Sequence, residues 1–271
     1  MLHIHSTSLK GHRPTNEDKE IIFQNLNGKK SKHHKINLYA VFDGHGGSSV
    51  SEYLYKNFGN YFTPKTTINP ITSEKKKYQK HIVDSYKHIQ TKLKNEFKTL
   101  VSNTGAAACT ILHFKKKKKN MLYVNNLGDC RAVLCNKFNI AIPLSKDHKP
   151  FNYEETVRIH KLGGKIIHED GDDPRIEGLS VSRSFGDLDT KPYVSHIPEI
   201  FRYELDKRDK FIILGCDGLW DVFENQQASN FILHLLNNKN KKKVNLADEL
   251  GKEAIKRGST DNVSVIIIML N

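Results

Sequence analysis

Acidic residues recur at the ends of apolar runs. Asp43 follows "LYAVF" and precedes Gly44, and Asp217 follows "FIILGC" and precedes Gly218. Asp261, in "GSTDN", stands just before "VSVIIIML"; Glu17 and Asp18, in "RPTNED", stand just before "KEIIF". A single acid of this kind is ordinarily a turn residue or a helix cap. Four apolar segments edged by acids suggest instead that a sheet gathers the carboxylates. At about 4 Å two such charges repel by roughly 4 kcal/mol at an effective dielectric near 20, so the cluster needs protons or cations. Oxygen ligands suit Mg²⁺ or Mn²⁺, and the scarcity of histidine in these motifs argues against zinc. Gly44 has no Cβ and lets a backbone carbonyl approach an ion. Two divalent ions about 3.5–4 Å apart can activate a water and clamp an in-line phosphoryl displacement. Arg13, just upstream of Glu17, offers a forked guanidinium to phosphate oxygens. His45, just after Asp43, could protonate a leaving alkoxide.

The elements that must carry these residues are legible as period-2 or wholly apolar runs. Strands are predicted at 20–23, 36–42, 109–114, 121–126, 131–135, 211–216 and 263–270. Several are apolar on both faces, as expected of strands covered on both sides. The pair 109–114 and 121–126 flanks five lysines and reads as a hairpin with a charged tip. Helices are predicted over 76–101, with Ile82, Tyr86, Ile89, Leu93, Phe97 and Leu100 as one stripe, and after Gly47, with Val50, Leu54 and Phe58 inward and Ser48 or Ser49 as cap. A third, near 152–162, stops at Gly163–Gly164; two more are expected at 224–237 and 246–257. The stretch 143–198 shows little periodicity and reads as an irregular insertion on a single domain spanning 1–271.

Bulk properties exclude several classes. The 271 residues are 37% hydrophobic and 27% charged, the composition of a soluble globular chain. No apolar run approaches the roughly 18–20 residues of a membrane span, and the N-terminus lacks the apolar block of a secretory signal. The four cysteines, Cys109, Cys130, Cys135 and Cys216, form no C-x-x-C pair. Cys109, Cys130 and Cys216 sit in or beside apolar runs and read as small buried hydrophobes; a reducing intracellular compartment fits, and a cytoplasmic location is expected. The net charge of +13 and pI of about 9.4 invite a nucleic-acid reading. The lysines come in runs at 75–77, 115–119 and 239–243, each between periodic segments and without interleaved aromatics. They read as solvated loops, so no nucleic-acid partner is expected. The run "KNKKK" at 239–243 leaves a nuclear address open, although a helix-to-helix loop is the plainer reading.

The motifs "RPTNED", "VFDGHGG", "LGDCRAVL", "LSKDHKP", "LSVSRSFGD", "CDGLWDVF" and "GSTDNVSVIII" resemble, in order and approximate spacing, the metal-dependent serine/threonine protein phosphatases of type 2C. The resemblance runs from about Lys10 to Met269. It implies an α+β fold, a four-layer α-β-β-α sandwich of two antiparallel sheets flanked by helices. It implies a binuclear Mg²⁺/Mn²⁺ centre in which Asp43 bridges the ions, Gly44 contributes its carbonyl, and Asp217 and Asp261 bind directly. Glu17 and Asp18 would hold metal-bound waters, Arg13 would grip phosphate and His45 would be the general acid. A weaker third metal would use Asp129 and Asp221 with Asp217 shared, and 143–198 would be a flap beside the site. Phosphorylated proteins would be the substrates of a monomer, with water attacking phosphorus directly and no phosphoenzyme. The sequence departs from the family pattern at Cys130, at "GAAACT" and at Glu177 in "RIEG", and at none of these proposed ligands.

Other phosphatase chemistries fail on inspection. The sixth residues after the four cysteines are Lys115, Asn136, Ala141 and Val222, so no Cys-x5-Arg loop exists. "DLDT" at 187–190 faintly resembles an aspartyl-phosphate motif, but "SRSFG" before it does not read as a buried strand. An inactive phosphoprotein-binding scaffold would be expected to lack an acid or the arginine, and none is missing.

Overall fold

The computed structural model describes residues 2–26, 35–62, 75–116, 119–238 and 244–270. The first half contains β1 (His3–Leu9), β2 (Lys19–Phe23), β3 (Lys35–His45), α1 (Ser49–Phe62), α2 (Lys75–Phe97), β4 (Gly105–Lys116), β5 (Lys119–Leu127), β6 (Arg131–Cys135) and β7 (Ala141–Pro143). The second half contains α3 (Tyr153–Lys161), β8 (Ile166–Ile167), β9 (Arg175–Ile176), β10 (Phe185–Gly186), β11 (Glu199–Glu204), β12 (Phe211–Gly215), α4 (Asp217–Trp220), α5 (Asn225–Asn237), α6 (Leu246–Lys256) and β13 (Val263–Met269).

One sheet has the order β1-β13-β12-β6-β7 and the other β11-β5-β4-β3-β2, with all pairs antiparallel. The two-residue period of a strand explains the layering. On β3, Leu38, Ala40 and Phe42 face α1 and α2, while Tyr39 and Val41 face the second sheet. On the other sheet, Ile212 and Leu214 point between the sheets, while Phe211 and Ile213 pack under α5 and α6. The result is the expected α-β-β-α sandwich, with three apolar interfaces stacked in parallel. Truncating a fully buried side chain such as Leu38 or Ile213 to Ala should cost about 2–5 kcal/mol.

The seven predicted strands are all present, and the hairpin β4–β5 closes at Lys116↔Lys119. The helix after Gly47 buries Val50, Leu54 and Phe58 as expected. The helix α3 stops as its glycines predict: Gly163 has φ +85°, and the Gly164 and Gly163 N–H groups donate to Ile159 and His160 carbonyls. Three expectations change. Lys75–Lys77 are not a loop; they are the exposed first turn of α2. Lys117, Lys118 and the run 239–243 lie outside the described residues. Leu100 falls beyond the end of α2 and is 62% exposed, while Val101 takes the buried place. The segment 143–198 is more ordered than its composition suggested. Its β10 pairs with the start of β4, and Glu155 of α3 binds Arg158, Arg183 and Ser182 in a buried network. The strand β11, which follows it on the edge beside β5, was missed because its burial is only partial.

Candidate active site

Every proposed site residue reaches the same end of the sandwich, and the topology dictates this. The strands β3 and β12 end there, while β2, β4, β6 and β13 begin there. Asp43 is opposite Ala107 on β4, and it shares a face with Tyr39 and Val41, so the apolar inter-sheet core terminates in a carboxylate. Gly44, on the opposite face, is pressed against the loop before β2: a Cβ there would lie 2.5 Å from the Glu17 carbonyl oxygen. Arg13, Glu17, Asp43, Gly44, His45, Asp129, Asp217 and Asp261 line a cavity of about 370 Å³, whereas Asp18 and Asp221 are not in its wall. Arg175, Leu179, Ser180 and Val181 of the 143–198 segment close one side.

Two groups of side-chain atoms lie within 4.8 Å of one another: Asp43 with Asp129 and Asp217, and Asp43 with Asp18 and Cys216. At that spacing each like-charge pair repels by roughly 3.5 kcal/mol at an effective dielectric near 20. Burial first, then the charges of Asp217, Asp18 and Asp129, pushes the Asp43 carboxyl well above its ordinary range. Burial, Asp129, Asp221 and Asp261 do the same to Asp217, with Lys149 opposing. Burial pushes Asp18 up to about 6 against hydrogen bonds from Ser264 and Cys216. Asp43 Oδ2 and Asp18 Oδ2 are buried and have no hydrogen-bond partner. Buried carboxylate oxygens are normally satisfied, so this pair could hold a cation. The hard oxygen donors around Asp43 fit Mg²⁺ or Mn²⁺.

The remaining residues are placed less symmetrically. Asp261 lines the cavity, where its Oδ2 accepts from Arg13 Nη2 at 2.6 Å. Glu17 is held by backbone: its Oε2 accepts from the Gly47 N–H at 2.8 Å, and its own N–H donates to Asn262 Oδ1 at 2.8 Å. Asp221 is the C-cap of α4 and lies outside both carboxylate groups. Asp129 is already met by a cation of the chain, because Lys149 Nζ donates to its Oδ2 at 2.5 Å. Trp220 fixes the turn between Asp217 and Asp221 by donating its indole N–H to the Arg131 and Gly215 carbonyls.

Sequence reasoning missed three contributors. Asn262, beside Asp261, donates to the Lys10 and Thr15 carbonyls and so fastens the loop carrying Arg13 and Glu17. Cys216, read as a buried hydrophobe, brings its sulfur next to Asp18 and Asp43. Asp187 accepts from His45 Nε2 at 2.8 Å. It belongs to the dismissed "DLDT", and the preceding Ser184–Gly186 is in fact buried, with β10 inside it. Burial opposes the His45 imidazolium, but the Asp187 contact outweighs it and raises the imidazole above its ordinary value.

A protein-family model described as Protein phosphatase 2C matches residues 2–263. The chain belongs to the protein phosphatase 2C family. It is similar to the integrin-linked kinase-associated serine/threonine phosphatase 2C of Mus musculus, 34% identical over 286 residues that cover 96% of this chain and 70% of that protein. A PP2C-like domain-containing protein of Acanthamoeba polyphaga mimivirus is 47% identical over 176 residues, 58% of this chain and 98% of that protein. Among solved structures, a phosphatase from a pathogenic strain of Toxoplasma gondii superposes with a TM-score of 0.82 at 20% identity, over 98% of this chain and 91% of that one. The chain is therefore a protein serine/threonine phosphatase of the type 2C family, with the two-sheet fold of its structural neighbours.

Proposed function

We propose that this phosphatase hydrolyses phosphoserine and phosphothreonine in proteins with two Mg²⁺ or Mn²⁺ ions held at Asp43, the Gly44 carbonyl, Asp217 and Asp261, and with Glu17 and Asp18 beside them. The observation that carries the reading is the pair of buried, unpartnered oxygens on Asp43 and Asp18 beside the cavity. When bound, the ions would supply the positive charge and the acidified water for direct attack on phosphorus, without a phosphoenzyme.

The side chains divide the remaining work. Arg13 is 56% exposed and uses one N–H on Asp261, which leaves further donors for the phosphate oxygens. The Arg13–Asp261 contact keeps that guanidinium over the cavity before substrate arrives. His45 engages Asp187 through Nε2, so Nδ1 is left for the cavity. As the P–O bond breaks, its electron pair stays on the seryl or threonyl oxygen, and His45 gives that oxygen a proton and becomes neutral. A third cation at Asp129, Asp217 and Asp221 would have to displace the Lys149 ammonium. The four cysteines are free and buried, which supports a reducing compartment, and we place the protein in the cytoplasm as a monomer acting on phosphoproteins.

The test is hydrolysis of p-nitrophenyl phosphate and of phosphoserine peptide with Mn²⁺. Both activities should vanish on chelation and in Asp43→Ala; equal rates in that variant would refute the reading.

A further inference from the structure

Behind His45 lies a set of contacts that the gathering of carboxylates for cations does not explain. Asp187 is 1% exposed, and its Oδ2 accepts from both His45 Nε2 and the Ser184 hydroxyl. It is held in a left-handed conformation, φ +46°, directly after Gly186 at φ +74°. A non-glycine residue keeps such a conformation only where its surroundings enforce it. Here the enforcement comes from three sides. Gln90 of α2 grips both polar groups of Gly186, with Nε2 donating to the carbonyl at 2.9 Å and Oε1 accepting from the N–H at 2.9 Å. The Asp187 N–H donates to the Thr104 carbonyl at 3.0 Å, and the Thr104 hydroxyl donates to the Gly46 carbonyl at 3.0 Å, which ties this turn to the loop after His45. Gly105 leaves the space: a Cβ there would lie 2.0 Å from Asp187 Oδ2 and 2.5 Å from His45 Nε2. The pair occupies the place that a side chain on β4 would otherwise fill.

We propose that Asp187, seated by Gln90 and the missing side chain of Gly105, is the positioning residue that aims His45 at the alcohol leaving group. The proposal rests on the general-acid reading of His45 given above. An ionised carboxylate only accepts hydrogen bonds, so Nε2 must carry the hydrogen between the two residues. The ring is then fixed in plane, with the Nδ1–H of the imidazolium turned to the leaving oxygen and Nε2 keeping its hydrogen after that proton is given. Asp187 is not among the residues of the cavity wall, so its effect passes through the imidazole.

The discriminating readout is dependence on the leaving group. A seryl alkoxide needs a proton as it departs, whereas p-nitrophenolate leaves without one. His45→Gln should lower the ratio of phosphoserine-peptide to p-nitrophenyl phosphate turnover by about tenfold or more. Asp187→Asn should lower the same ratio, and the double variant should be no worse than His45→Gln alone, because both act through one group. Mn²⁺ affinity measured by calorimetry should survive in Asp187→Asn, which a general structural defect would not allow. If His45→Gln lowers the ratio and Asp187→Asn does not, the positioning role is overturned while the acid survives. If His45→Gln leaves the ratio unchanged, the acid role and the positioning role fall together. Should Asp187→Asn not fold, Gly105→Ala fills the space of the pair and is expected to lower the ratio likewise; an unchanged ratio there overturns the proposal.

Discussion

Replacing Asp43 with Asn should stabilise the metal-free protein while abolishing its response to divalent ions. Asp43 is half-buried between two groups of neighbours within 4.8 Å, and one of its oxygens is buried with no partner. One like-charge pair at that spacing costs about 3.5 kcal/mol at an effective dielectric near 20. Without ions the native state escapes this repulsion by retaining a proton. Each pH unit over which the proton is retained above the ordinary carboxyl value is worth about 1.4 kcal/mol, so the penalty relative to the unfolded chain is at most about 4 kcal/mol at pH 7. Asn avoids that term, less about 1–3 kcal/mol for an amide whose donors find no acceptor. The net gain is therefore at most about 1–3 kcal/mol. Burial, then Asp217, Asp18 and Asp129, raises this carboxyl, so above the unfolded value the native state binds more protons than the unfolded one. Metal-free stability should therefore fall as pH rises above the ordinary carboxyl value, and the fall should be shallower in Asp43→Asn. Urea denaturation in EDTA measures both effects. Added Mn²⁺ should then stabilise the parent by mass action and leave the variant unmoved. A metal-free variant less stable than the parent at about pH 7.5, with an unchanged pH slope, would refute the electrostatic reasoning.

Lys149→Met removes the ammonium from Asp129. The variant should bind about one more Mn²⁺ per chain in equilibrium dialysis; equal stoichiometry would show that the lysine does not compete for that position. Glu177 sits at φ +49° in the two-residue turn between Ile176 and Leu179. Asn tolerates that conformation better, so Glu177→Asn should stabilise by about 0.5–1 kcal/mol and raise the midpoint of thermal unfolding; a lowered midpoint would contradict this. Burial works against the Glu155 charge, but Arg183, Arg158 and Ser182 outweigh it and hold the carboxyl down at about 2. Its contribution is complete above the unfolded value near 4.5 and is lost as pH falls through about 2. Glu155→Gln should therefore cost on the order of 3 kcal/mol at neutral pH and progressively less below about pH 4, by urea denaturation; a pH-independent difference would count against the ion network.

The amino-acid order alone determined the layers and the identity of the gathered acids. Two-residue and three-to-four-residue periodicities specify which strands and helices form, and an acid ending an apolar run is conspicuous because burying it alone is unfavourable. The order could not reveal relations that close only across distant segments. Asp187 looked like part of an irregular insertion, and its meaning appears only when β10 lies against β4 and brings it to His45. Gly105 carries no visible meaning in the sequence, yet a side chain there would collide with the Asp187–His45 contact. Asn262 likewise meets the Arg13 loop through the pairing of β13 with the distant β1, and Lys149 meets Asp129 across the β6–β7 hairpin. Hydrogen bonds and charge pairs of this kind depend on distances of a few ångströms. Those distances are set by sheet register and not by local pattern, so the tertiary fold decided them.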